Sequence, residues 1–133
     1  MTYPQIYVTL ISSFKKKLIM CCQNTLHEIT TQVAQKAQEI LGNRLREVIL
    51  YGSYARGDFN DDSDIDIMIL ADVGEHEIWD FEDKISETTS ELALKYDELI
   101  CAHINNKILF EQRLPILPFY QNVRKDGVQI YVA

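Results

Sequence analysis

Leu50–Leu70 reads LYGSYARGDFNDDSDIDIMIL, an apolar run broken at Gly52-Ser53 and resumed after a charged, small-residue segment. In the resumed run Ile65, Ile67 and Ile69 alternate with Asp64, Asp66 and Met68, the period of two that suits a strand. Alternation sends Asp64 and Asp66 to one face and the isoleucines to the other. Two neighbouring carboxylates repel, and burying them without a cation would force one to take up a proton. A divalent cation resolves the conflict. Hard carboxylate oxygens suit Mg²⁺, which takes its remaining ligands from water and substrate phosphates.

The first half of the stretch supplies what a phosphate needs. Glu47–Tyr51 reads as a strand, and the glycine after it lets backbone approach a phosphate closely. The Ser53 hydroxyl and neighbouring N–H groups can donate to phosphate oxygens, since concave turns favour anions. Arg56 adds a fixed positive charge, and Ser63 is a further candidate for the nucleotide. The plainer alternative is a polar hairpin with scattered surface acids. The joint presence of glycine, serine, arginine and the strand dyad argues against it. Two other motifs fail. Gly52 and Gly57 have the glycine spacing of a P-loop, but Asp58 and Phe59 stand where Lys and Ser/Thr are required. A calcium loop starting at Asp58 puts Ser63 at the glycine position and Ile69 at that of the bidentate Glu.

Ten residues separate Ser53 from Asp64, and the pattern GS-x10-D-x-D resembles the signature of the DNA polymerase β-like nucleotidyltransferase superfamily. More narrowly it resembles the minimal nucleotidyltransferases (MNT), over roughly residues 25 to 133. That resemblance implies an α/β (α+β) fold, a mixed sheet flanked by helices. It also implies an ATP-Mg²⁺ site and transfer of a nucleoside monophosphate with release of pyrophosphate. Asp64 and Asp66 would be catalytic and hold the metal; Gly52, Ser53 and Arg56 would hold the phosphates. The superfamily commonly adds a third carboxylate from a later strand, as metal ligand or general base. Asp97 and Glu98 both compete for it in Tyr96–Ala102, read as the start of a strand. Glu98, followed by Leu99-Ile100, fits the family's acidic-Leu-Val pattern slightly better. Alternation allows only one of them to join the dyad.

At 133 residues the chain has the length of one domain with a real core. A net charge of −7 argues against direct nucleic-acid binding, which needs a basic surface; the longest basic run is Lys15-Lys16-Lys17. Cys21, Cys22 and Cys101 form neither a C-x-x-C pair nor a ligand set, and an odd count suits a reducing compartment. No stretch approaches the roughly 20 apolar residues of a membrane span. A signal peptide carries its charge before its apolar run, whereas Lys15–Lys17 follow Ile6–Ile11. The expected location is the cytoplasm.

Residues 1–23 read as an N-terminal extension of uncertain structure, with Tyr7–Ile11 as a strand or loose arm and a helix from Phe14 as alternatives. Residues 24–133 read as the minimal nucleotidyltransferase domain. A helix from Asn24 carries Leu26, Ile29, Val33, Ile40 and Leu41 on one side and stops at Gly42-Asn43. Arg44 and Arg46 are expected in salt bridges. A second amphipathic helix, about 75–95, buries Ile78, Phe81, Ile85, Leu92 and Tyr96, with Trp79 off that stripe. Asn105-Asn106 reads as a turn, Lys107–Arg113 and Phe119–Arg124 as short helices, and Val128–Val132 as a last strand. Tyr120, Arg124 and Lys125 are candidates for a rim toward substrate or partner.

Larger nucleotidyltransferases carry a further domain for the acceptor, and a chain of this length has no room for one. The resemblance therefore points to a protein partner, a HEPN-family ribonuclease toxin, in a hetero-oligomer. It implies an antitoxin that silences the toxin by adding AMP from ATP to a tyrosine hydroxyl. Two other functions remain open. One is a non-catalytic antitoxin that neutralises by binding; the other is a small-molecule nucleotidyltransferase of the aminoglycoside type.

Overall fold

The computed structural model describes residues 5–133, and side chains from residue 23 onward. Readings of side chains before that point, Cys21 and Cys22 included, lie outside the described residues. Helix α1 (Gln5–Leu41) leads into β1 (Leu45–Tyr51), a short helix α2 (Ser53–Arg56) and β2 (Ile65–Ala71). Then come α3 (Ile78–Tyr96), β3 (Ile100–Asn106), α4 (Lys107–Arg113), α5 (Pro118–Asp126) and β4 (Val128–Val132). The sheet order is β3-β2-β1-β4. β1 runs antiparallel to β2 and to β4, whereas β2 and β3 are parallel and need a crossover, which α3 provides. This is the mixed sheet with flanking helices expected from the sequence.

The two faces of the sheet are unequal. Val48, Leu50, Ile65, Ile67, Ile69, Ile100 and Ile104 pack against Ile29, Val33, Ala37 and Leu41 of α1 and Ile85 and Leu92 of α3. The three isoleucines that alternate with the acids are thus all in the main core, none more than 1% exposed. The other face carries a smaller cluster, Ile49, Met68 and Leu70 beneath Phe110 of α4 and Val123 of α5. Tyr51, Asp66 and Cys101, on that same face, remain half-buried.

Glu47 lies beside the smaller cluster and is 3% exposed. Its carboxylate accepts hydrogen bonds from Arg124 Nη1 at 2.7 Å, Lys107 Nζ at 3.1 Å and Gln129 Nε2 at 2.5 Å, tying α4, α5 and β4 to β1. Arg124 is therefore turned into the fold and not onto a substrate rim, and Tyr120 packs its ring against Phe110. Burial pushes the Glu47 carboxyl up, but the bonds from Arg124, Gln129 and Lys107 outweigh it and hold the group below the usual range. A depressed carboxyl contributes stability that is complete above the ordinary glutamate pKa and lost as pH falls below it. Glu47→Ala should cost about 2–3 kcal/mol in urea unfolding at pH 7. That is less than a fully buried pair loses, because water can reach the abandoned cations. The difference between variant and parent should shrink below about pH 4.

Four local expectations are corrected. The first helix begins at Gln5 and not at Asn24, so Tyr7–Ile11 is helical and neither a strand nor a loose arm. The strand after α3 begins at Ile100, not Tyr96. α3 begins at Ile78, preceded by a 3-10 turn at Glu75–Glu77 whose Glu77 carboxylate accepts from Gly74 N at 2.9 Å. Asn105 and Asn106 end β3 and do not form a separate turn, because the Asn106 side chain caps α4 by accepting from Leu109 N at 2.9 Å. Arg44 and Arg46 do form salt bridges, to Glu77 at 2.6 Å and Asp72 at 2.5 Å. Trp79 is exposed. Among the described residues no helix is long and apolar enough to cross a membrane.

Candidate active site

The carboxylate pair and the glycine turn meet because β1 and β2 are antiparallel neighbours. Their register pairs Tyr51 with Asp66, so the residue that follows Tyr51 lies over the second acid of the dyad. Gly52 has φ 76° and ψ −157°, a conformation open in practice only to glycine. Its carbonyl accepts from Ala55 N and Arg56 N, both at 3.1 Å, which closes the turn of α2. Gly57, at φ 82°, ends that helix.

The loop that returns the chain to β2 is held by its own polar groups. Asn60 Oδ1 accepts from Asp62 N at 2.9 Å, and Asn60 N donates to Ser63 Oγ at the same distance. Ser63 thus braces the turn that delivers Asp64. Tyr54 stacks on Phe59 with centroids 4.5 Å apart, which fastens the loop to α2. Arg56 Nε donates to Asp58 Oδ2 at 3.2 Å in an exposed pair, the kind that contributes little to stability.

The dyad lies in strongly negative surroundings. Burial raises the Asp66 carboxyl, and Asp64 raises it further against smaller opposing effects of His103 and Arg56. Burial also raises the Cys101 thiol, with Asp64 and Asp66 adding to it. The Tyr51 phenol is pushed up to about 12 by burial and then by Asp66. All three shifts have burial as their main cause, and the carboxylates of the dyad add to each of them. Two partly buried carboxylates of this kind fit a hard divalent ion that takes its other ligands from water and phosphate. An acid whose folded pKa is raised costs stability at neutral pH, and that cost disappears as pH falls through the folded pKa. Asp66→Asn should therefore raise the Tm of the metal-free protein by about 2 °C at pH 7 in a thermal melt.

The third carboxylate is placed differently from the strand position expected of it. Asp97 caps α3 in the left-handed conformation, at φ 53°. Glu98 lies in the link before β3, where Oε2 accepts from the Tyr54 hydroxyl at 3.3 Å. Neither is on the strand, so alternation does not choose between them. The parallel register instead sets Cys101 beside Asp66 and His103 beside Met68. Among the described residues no group of three or more His, Cys, Asp or Glu side chains is arranged to hold a metal.

Beside the dyad is a cleft of about 250 Å³ lined by Tyr51, Gly52, Arg56, Asp66, Phe119, Asn122, Val123 and Asp126. α5 was expected to offer Tyr120, Arg124 and Lys125, but the residues it brings to the cleft are Phe119, Asn122, Val123 and Asp126. Phe119 meets the Tyr51 ring edge-on, centroids 5.7 Å apart. No short motif marks these residues; the only signal was an amphipathic helix after Pro118 with Phe119 off its buried side.

Two proteins of Methanocaldococcus jannaschii, both named "Putative protein adenylyltransferase", are similar in sequence. One is 39% identical over 88 residues, covering 66% of this chain and 80% of the relative. The other is 40% identical over 103 residues, covering 77% and 96%. A chain in a crystal structure of a toxin–antitoxin MntA–HpeT mutant superposes with a TM-score of 0.46 at 21% identity, over 77% of this chain and 71% of that one. The family model for the nucleotidyltransferase domain matches residues 30–126, a span from the buried half of α1 to the end of α5 that includes the dyad and its glycine turn. The chain belongs to the nucleotidyltransferase domain family.

Proposed function

We propose that this nucleotidyltransferase transfers AMP from ATP to a hydroxyl on a protein, the tyrosine of a HEPN-family ribonuclease toxin, and so acts as an antitoxin. The observation that carries the reading is the partly buried Asp64–Asp66 pair, with Asp66 directly beneath the Gly52 turn. The names of the two archaeal relatives support a protein acceptor, and the signature at Gly52–Asp66 supports the minimal nucleotidyltransferase subclass. Asp64 and Asp66 would hold Mg²⁺, which when bound neutralises phosphate oxygens and lowers the cost of charge in the transition state. Ser53 and the Gly52 backbone position the β- and γ-phosphates, and Arg56 offsets charge on the same side. The acceptor oxygen attacks the α-phosphorus, the bond to the bridging oxygen breaks, and pyrophosphate leaves. The acceptor's proton passes to Glu98 or Asp97 if either swings toward the dyad, and otherwise to solvent. Most of the catalysis is positioning and electrostatics.

The same chain could neutralise its partner by binding alone. One observation favours that reading: no third carboxylate joins the dyad among the described residues. Incubation with α-labelled ATP and Mg²⁺, with and without the protein encoded beside it, separates the two. Label on the neighbour, absent with the Asp64→Ala/Asp66→Ala variant, supports transfer. Inhibition of the neighbour by that variant, without label, means that contact suffices. Label on a small molecule with no protein partner would overturn both.

A further inference from the structure

We propose that the cleft between the dyad and α5 is the nucleoside subsite, in which Phe119 stacks on the base, Asn122 meets its edge and Asp126 accepts from a ribose hydroxyl. This rests on the reading that the dyad and Gly52 turn take a metal-bound triphosphate. The cleft has two chemically different walls. Gly52, Arg56 and Asp66 form the one toward the dyad, whereas Phe119, Asn122, Val123 and Asp126 all come from α5. A volume of about 250 Å³ is just under the range of roughly 300–1,000 Å³ typical of whole ligand pockets. It suits the nucleoside part alone, with the phosphates outside over the dyad.

Val123 belongs to the smaller core cluster, whereas Phe119, Asn122 and Asp126 do not. Phe119 is 52% exposed; its ring meets Tyr51 edge-on and Tyr120 at a tilt, centroids 5.8 Å apart, and keeps exposed surface for a planar partner. Asp126 is the last residue of α5, the end of a helix where a carboxylate is electrostatically disfavoured. Lys125 and Arg124 are close to it in sequence, yet Asp126 forms no ion pair among the described residues, while Arg124 is committed to Glu47 and Glu111. An unpaired acid facing a cleft already negative from Asp66 is not a site for phosphate. It suits a neutral donor, which a ribose hydroxyl is. The Asn122 amide makes no side-chain hydrogen bond among the described residues and can donate and accept at once, the pairing that reads adenine.

The test is calorimetric binding of two Mg²⁺ complexes to the intact protein, one with a non-hydrolysable ATP analogue and the other with inorganic tripolyphosphate. Phe119→Ala should weaken the ATP analogue about ten-fold or more, the usual loss of a stacked base, and leave tripolyphosphate unchanged. Phe119→Leu keeps an apolar contact with Tyr51 but has no ring face, and should reproduce the loss if the first variant unfolds. Asp126→Asn should remove the parent's preference for the ribose form over its 2′,3′-dideoxy counterpart, and Asn122→Leu its preference for adenine over guanine. Equal loss of both complexes, or of neither, would overturn the subsite. So would a parent that binds tripolyphosphate as tightly as the ATP analogue, although the phosphate site would stand. A parent that binds neither would remove the phosphate site as well.

Discussion

Replacing Asp64 and Asp66 together with alanine should reduce nucleotidyl transfer at least about 10³-fold, measured as labelled AMP incorporated per unit time. Where catalysis is mostly electrostatic, removing even one preorganised group costs on the order of 10²–10³, and here both proposed ligands of one metal go together. The loss should fall on turnover rather than on folding. Among the described residues neither carboxylate has a hydrogen-bonding or ion-pair partner, and the burial that raises the Asp66 carboxyl is a cost that the fold bears. The double variant should therefore melt no lower than the parent without metal, and Mg²⁺ should no longer shift its Tm. A variant that melts several degrees lower would mean the dyad is structural.

Gly52→Ala should lower turnover about 10²-fold while the protein still folds. A Cβ at Gly52 would lie 2.5 Å from Asp66 Oδ2 and 3.4 Å from its Cγ. The side chain can swing away, but only by taking the second carboxylate out of register with the first, and an ångström of misplacement is enough for a loss of this size. The backbone adds its own penalty. Alanine at φ 76° and ψ −157° is strained by roughly 1–3 kcal/mol, which chemical denaturation should register. Gly57→Ala provides the control. It has a comparable positive φ of 82° with nothing within 4 Å of the added Cβ, so it should lose stability without a comparable loss of turnover.

Most of what the sequence determined alone came from periodicity and from residues whose backbone needs are narrow. Alternation through Asp64–Ile69 assigned the acids and the isoleucines to opposite faces, because a strand's side-chain period of two has no slack. Helical spacing in residues 26–41 and 78–96 marked the faces that α1 and α3 bury. Turn chemistry at Gly42 placed the end of α1. The glycine at 52, the ten-residue spacing and the dyad together indicated the family.

What only the tertiary structure decided depends on pairing between distant segments. Whether Asp97 and Glu98 precede or join their strand turned on where α3 ends. The left-handed cap at Asp97 moved the start of β3 to Ile100, and local propensity does not report that. Cys101 came to rest beside Asp66 through a parallel register set by the length of the α3 crossover, so it looked incidental in sequence. Arg124 seemed available to a substrate because nothing local revealed a buried acid at Glu47, 77 residues away. The α5 wall of the cleft was hidden for the same reason. A surface made by elements remote in sequence leaves no periodicity behind, because it is specified by the packing of the sheet and not by any one segment.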